Sequence, residues 1–173
     1  NAGASLAHAH SQIVGLPLVP PRLLTEARTI EVYRERTQKD PFDMIISLEQ
    51  STKLRVIRES DHWISFCPYA SAWQMEAWVL PKRPVSQLSG CTSEEIDELA
   101  RHTLNITRQL TELGASYNLS IEQGSSDAQR LTLKVKGRSV LSPRGGLELT
   151  TDIIVNAIPP ESAADWYRRG LNP

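Results

Sequence analysis

Gly3-Ala4-Ser5-Leu6-Ala7-His8-Ala9-His10-Ser11-Gln12-Ile13-Val14-Gly15-Leu16 decides how this chain is read, because two imidazoles and a carboxamide recur in it at every second position. Side chains alternate across a strand, so Leu6, His8, His10, Gln12 and Val14 would share one face and Ala7, Ala9, Ser11 and Ile13 the other. An imidazole titrating near neutrality can attack phosphorus as a neutral nucleophile, and a neighbouring carboxamide N–H can hold a phosphoryl oxygen as charge develops on it. Phosphoryl or nucleotidyl transfer is the chemistry this pattern fits. A His-x-His pair on an edge strand can also be a solvated polar face, or half of a metal site whose other ligands lie elsewhere.

Outward from the motif, composition bounds the rest. A chain of 173 residues can build one sizeable core or two small ones. With 40% hydrophobic and 23% charged residues it has the make-up of a soluble globular protein. Its 19 basic and 20 acidic residues nearly cancel, which gives no reason to expect nucleic acid or an anionic membrane as partner. No apolar run is long enough to span a bilayer, and no signal peptide is visible. Cys67 and Cys91 lie far apart with no Cys-x-x-Cys spacing, so neither a zinc knuckle nor a disulfide framework is indicated, and a cytoplasmic location is the default expectation. Asn1 is not an initiator Met, and the motif starts too close to it for preceding strands to support it. The expectation is the C-terminal part of a longer polypeptide, or further residues before Asn1.

After the motif, Pro17, Pro20 and Pro21 mark a turn, and an amphipathic helix is expected from Arg22 to about Lys39, ended by the Asp40-Pro41 step. The apolar run Phe42 to Gln50 fits helix or strand equally. Lys53–Glu59 and Trp63–Cys67 read as a hairpin turned at Ser60-Asp61, with a third strand at Met75–Leu80. Thr92 or Ser93 caps a long helix with Glu94 and Glu95 in its first turn; Ile96, Leu99, Ala100, Thr103, Ile106, Leu110 and Leu113 form its buried stripe and Gly114 stops it. Strands follow at Ser116–Glu122, Arg130–Lys136 and Asp152–Asn156, then a helix from about Pro159-Pro160-Glu161 to Arg168. The class is α+β, with helices packed on a mainly antiparallel sheet.

Gly-Ala-Ser-Leu-x-His-x-His-Ser-Gln-Ile at positions 3–13 resembles the active-site strand of the galactose-1-phosphate uridylyltransferase branch of the histidine-triad superfamily, which carries Gln where the hydrolases carry a third His. Phe66-Cys67-Pro68-Tyr69-Ala70, followed by Glu76 to Arg83, resembles the Pro-x-Ala and Glu-x-x-x-x-Pro-Lys-Arg segments of that family's second half. The tail Gly146–Thr151, Asn156 and Pro159–Ala164 resembles its C-terminal segment. The resemblance implies a histidine-triad-like antiparallel sheet with packed helices. It divides the chain into 1–40, the end of a first half with the active-site strand and following helix, and 41–173, a second half.

The resemblance further implies a nucleotidyltransferase with a covalent nucleotidyl-histidine intermediate, exchanging a nucleoside monophosphate between a nucleotide sugar or dinucleotide and a phosphate or sugar-phosphate acceptor. His10 falls on the nucleophile and Gln12 on the group that hydrogen-bonds the transferred phosphoryl. Ser5 and Ser11 fall in the substrate-binding stretch, and Glu148 on a sugar contact lent by the partner of a homodimer. His8 matches a histidine that in some members binds structural zinc, which leaves the metal open. The alternative is a nucleotide-binding or interaction module that kept the fold without turnover. A second metal site is not expected, since the family's His-x-His strand here reads Leu131-Thr132-Leu133-Lys134-Val135. The Gln-Arg-Asp segment of the galactose enzymes is replaced by Asp152-Ile153-Ile154-Val155, which argues against galactose. Trp63, Trp73, Trp78 and Trp166 are expected as core or interface anchors, and Cys67 as a small buried hydrophobe. His62, His102, Lys82 and Arg83 are expected to be solvated.

Overall fold

A computed structural model describes residues 11, 13, 17–124, 129–138 and 146–170. Its first element is helix α1, Pro21–Thr37, which opens on a proline where a missing N–H costs no bond. Gln38 closes it in the left-handed conformation, with its N–H bonded to Arg34 O at 2.8 Å. The Asp40-Pro41 step then ends one helix and starts another, since the Asp40 carboxylate accepts from the N–H groups of Phe42 and Asp43. A capped N-terminus with proline in the first turn therefore settles the ambiguous run as helix α2, Pro41–Thr52.

Strands β1 (Val56–Glu59), β2 (Trp63–Phe66), β3 (Ala77–Pro81), β4 (Ser116–Glu122) and β5 (Thr132–Arg138) form one sheet in the order β1-β2-β3-β5-β4, antiparallel at every step. Helix α3, Ser93–Glu112, connects β3 to β4 and begins with a capping box between Thr92 and Glu95. Helices α4 (Gly146–Thr151) and α5 (Pro160–Arg169) follow β5. The α+β expectation and the order of its first strands hold. The strand expected at Asp152–Asn156 does not form. Asp152 instead closes α4 in the left-handed region, its N–H bonded to Glu148 O at 3.0 Å, and Ile153, Ile154 and Val155 remain exposed.

Strand alternation divides the core between two faces. On one, Trp63, Ala77, Val79, Leu133 and Val135 pack against Leu99, Ile106 and Leu110 of α3 and Ala163, Ala164 and Tyr167 of α5. On the other, Ile64, Phe66 and Leu80 meet Ile30 of α1 and Phe42 and Ile46 of α2. Helix α3 is rotated from its expected stripe. Ile96 and Leu113 are exposed, while Glu95, Glu98, His102 and Gln109 are buried. Polar partners draw that face inward: Trp63 Nε1 donates to Glu95 O at 2.8 Å, and Gln109 Nε2 donates to Gly170 O at 2.9 Å. Among the described residues no helix is long and apolar enough to cross a membrane.

Candidate active site

Ser5, His8, His10 and Gln12 lie outside the described residues. Ser11 is exposed, and Glu148 is half-buried in the first turn of α4. These two are the expected site residues that fall among the described ones. The described structure shows the surface that receives the chain after the motif, because the segment carrying His10 leads through Pro17 and Pro20 into α1.

That surface is the polar half of the α1/α2 face of the sheet. Trp78, Lys134 and Ser120 lie in one row across β3, β5 and β4, and Thr132 lies opposite Glu122 in the next. Lys134 is 4% exposed, with Nζ 4.4 Å from the centre of the Trp78 ring, 2.7 Å from Glu122 Oε2 and 3.6 Å from Glu26 Oε2. Arg22 closes the cluster, with contacts of 2.5 Å to Glu122 Oε1 and 3.3 Å to Glu26 Oε2. Burial pushes the Glu122 carboxyl up, but Arg22 and Lys134 outweigh it and hold it below its ordinary value. Beside this cluster the buried Arg130 pairs with Asp43 at 2.7 Å and lies over the ring of Phe42, tying the segment before β5 to α2.

A second polar network sits on the opposite face, under α3, and corrects two expectations. His102 is buried rather than solvated, and the half-buried His62 is bound by its ring to Glu98 Oε1 at 3.0 Å. One chain of donors satisfies the contacts of a neutral His102. Ser60 O–H donates to Glu98 Oε2 at 2.6 Å, which leaves Ser60 Oγ to accept from Nε2–H at 3.0 Å, while Nδ1 lies 3.0 Å from Ser65 Oγ, whose one proton is also within reach of Arg58 O at 3.2 Å. Burial pushes His102 down to about 4, helped by Arg58. Burial alone would raise Glu98, but bonds from Ser60 and His62 bring it down to about 2, and Glu98 in turn raises His62. A cleft of about 300 Å³ opens beside this network, between Arg58, Ser60, Glu98 and Arg101. Lys82 is half-buried and pairs with Glu59 at 2.7 Å, while Arg83 is exposed as expected and pairs with Glu95 at 2.6 Å.

Residues 26–129 match the family described as galactose-1-phosphate uridyl transferase, C-terminal domain. The chain belongs to this uridylyltransferase family. The ADP-glucose phosphorylase of Arabidopsis thaliana is 30% identical over 177 residues, 97% of this chain and 48% of that protein. The galactose-1-phosphate uridylyltransferase of Streptomyces lividans is 33% identical over 100 residues, 57% of this chain and 27% of that enzyme. A solved uridylyltransferase structure superposes with a TM-score of 0.87 at 25% identity, covering 98% of this chain and 56% of its own. The chain thus spans about half the length or less of these relatives.

His8, the residue expected to bind zinc, lies outside the described residues. Among the described residues no group of three or more His, Cys, Asp or Glu side chains could hold a metal ion, and burial drives the thiol of Cys67 far above its ordinary value. The Lys134 cluster escaped sequence reasoning because its members come from β5, β4 and α1. A signal was present: Thr132, Lys134 and Lys136 alternate with Leu131, Leu133 and Val135, which marks one polar face in an otherwise apolar strand.

Proposed function

We propose that the chain is part of a nucleotidyltransferase working through His10. The imidazole attacks the α-phosphorus of a nucleotide sugar or dinucleotide and an N–P bond forms. The bond from phosphorus to the bridging oxygen breaks, and the sugar phosphate or nucleotide departs with the electron pair. A phosphate or sugar-phosphate acceptor then attacks the nucleotidyl-histidine, restores the imidazole and carries away the nucleotidyl group. Gln12 donates an N–H to the phosphoryl oxygen, which stabilises developing charge without offering a base to water. Ser5 and Ser11 contact the phosphates.

The observation that carries this reading is the 30% identity to an ADP-glucose phosphorylase over 97% of the chain, a span that reaches into the motif. The missing Gln-Arg-Asp segment favours inorganic phosphate as acceptor over galactose 1-phosphate. Residues 1–40 complete a first half-domain and 41–173 form a second. The protein acts in the cytoplasm as a homodimer to whose partner site Glu148 contributes. The test is to incubate the full-length protein with ADP-glucose or UDP-glucose labelled at the α-phosphorus. Label should stay on the protein, be lost in acid, survive base and be absent from His10→Ala. An intact protein that binds the nucleotide sugar without acquiring label would overturn the reading in favour of a non-catalytic module.

A further inference from the structure

The ladder between β1 and β2 carries a bulge. Val56 pairs with Phe66 and Arg58 with Ser65, so Ile57 is an extra residue between two consecutive pairs. Residues opposite each other in an antiparallel pair share a face. Val56 and Phe66 accordingly lie on the α1/α2 face, while Ser65, 3.0 Å from His102 Nδ1, places Arg58 on the α3 face, where Ile57 is also buried. Strict alternation would have returned residue 58 to the side of Val56. The bulge therefore turns a guanidinium toward α3, as bulges do where a side chain must be re-aimed beside a site. From α3, Glu98, Arg101 and His102 stand three and four residues apart on one helix face, and with Arg58, Ser60 and Asp61 they line the cleft of about 300 Å³.

Every side chain lining this cleft is polar or charged, but the charges are unequally engaged. Glu59 meets Lys82 and Gln50, both at 2.7 Å, and Glu98 holds Ser60 Oγ at 2.6 Å and the backbone and ring nitrogens of His62 at 3.0 Å. Arg58, Arg101 and Asp61 enter no ion pair among the described residues. Two cations and one anion thus face the cleft uncompensated, beside a His102 that is 1% exposed. We propose that the cleft binds a small phosphomonoester: its phosphate lies between the guanidinium groups of Arg58 and Arg101, and Asp61 accepts from a hydroxyl of its organic part. Guanidinium forks match phosphate oxygens in pairs, and a dianion answers two like charges that otherwise repel each other. Ser60 and His102 spend their polar atoms on each other, on Glu98 and on Ser65, which fixes the wall of the cleft and leaves the ligand to the arginines. The site lies on the α3 face of the sheet and does not depend on the reading of His10.

The probe is glycerol 3-phosphate, followed by calorimetry and by nitrogen–proton NMR of the full-length protein. Binding at millimolar concentration or tighter should move the amides of residues 58–61 and 98–102 and leave those of α2, on the other face, in place. Arg58→Gln and Arg101→Gln should each weaken binding about tenfold with the urea midpoint unchanged, and Arg58→Lys should lose less than Arg58→Gln, since it keeps the charge without the fork. Asp61→Ala should weaken glycerol 3-phosphate relative to inorganic phosphate about threefold. His10→Ala should bind the probe here as wild type does, which separates this site from the catalytic one. No binding, amide shifts confined to other parts of the chain, or unchanged affinity in both arginine variants would each overturn the proposal. Inorganic phosphate bound by the wild type as tightly as glycerol 3-phosphate would overturn the assignment to a phosphomonoester.

Discussion

Acid should unlock the network under α3 through His102, and the size of the effect follows from its burial. The imidazole is 1% exposed and titrates at about 4, against about 6.5 for an unfolded histidine. A group whose pKa is depressed by folding contributes in full above its unfolded value and loses that contribution as the pH falls toward its folded value. At about 1.36 kcal/mol per unit, this site should cost the protein about 2–3 kcal/mol between pH 7 and pH 4.5, a large part of the roughly 5–15 kcal/mol typical of a domain. Its neighbours titrate in other windows. His62 is raised by Glu98, so its contribution is complete below about pH 6.5 and fades as the pH rises through its folded pKa. Glu98 and Glu95, both held near 2, contribute fully above about 4.5 and lose it only below that. Urea unfolding of wild type and His102→Gln at half-unit steps from pH 7.5 to 4.5 isolates the term, since the slope between 6.5 and 4.5 should be strongly reduced in the variant. Nitrogen chemical shifts should show the neutral ring protonated at Nε2. An imidazole titrating near 6.5 in the folded protein, or an unchanged slope in His102→Gln, would refute the reasoning.

Arg55→Met should cost about 3–5 kcal/mol at neutral pH in urea unfolding, because it strands the buried Glu49 carboxylate that Arg55 meets at 2.9 and 3.0 Å. Adding Glu49→Leu should recover most of that loss, and the single variant's deficit should shrink in acid, since burial raises the Glu49 pKa. Gly137→Ala should lower stability by about 1–3 kcal/mol, as its Cβ would stand 2.6 Å from Gln74 O and force backbone to move. Gly114→Ala meets no atom within 4 Å but must hold φ at 68°, so it should cost only about 1–2 kcal/mol.

Local signals carried most of the fold. Pro21, the Asp40-Pro41 step, Thr92 with Glu95 and Gly114 act within a turn of the boundary they set, so their meaning is present in a few consecutive residues. Asp152–Val155 shows where such reading fails. An apolar run makes a strand only if another strand supplies hydrogen bonds, and here the run starts from a left-handed helix cap with its side chains exposed. Glu95, Glu98, His102 and Gln109 failed in the opposite way: polar residues on a helix read as outward unless their partners on β2 and beyond α5 are already known.

The candidate site follows the same division. The chemistry expected of His8, His10 and Gln12 rests on alternation along a strand, and these three residues lie outside the described structure. The Lys134 cluster is not legible in the sequence, because Lys134 gains meaning only when Glu122 from β4, Glu26 from α1 and Trp78 from β3 converge on it. At the start of α1 Leu24 is exposed and Leu23 and Ala27 are only half-buried, and the contacts to the sheet run from the partly exposed Arg22 and Glu26 to the buried Lys134 and to Glu122. A buried ion pair adds little net stability over a hydrophobic replacement, but it penalises misplacement of any one member severely, since the others are then left uncompensated. Such a cluster at the start of α1 therefore favours one register of that helix on the sheet over its neighbours.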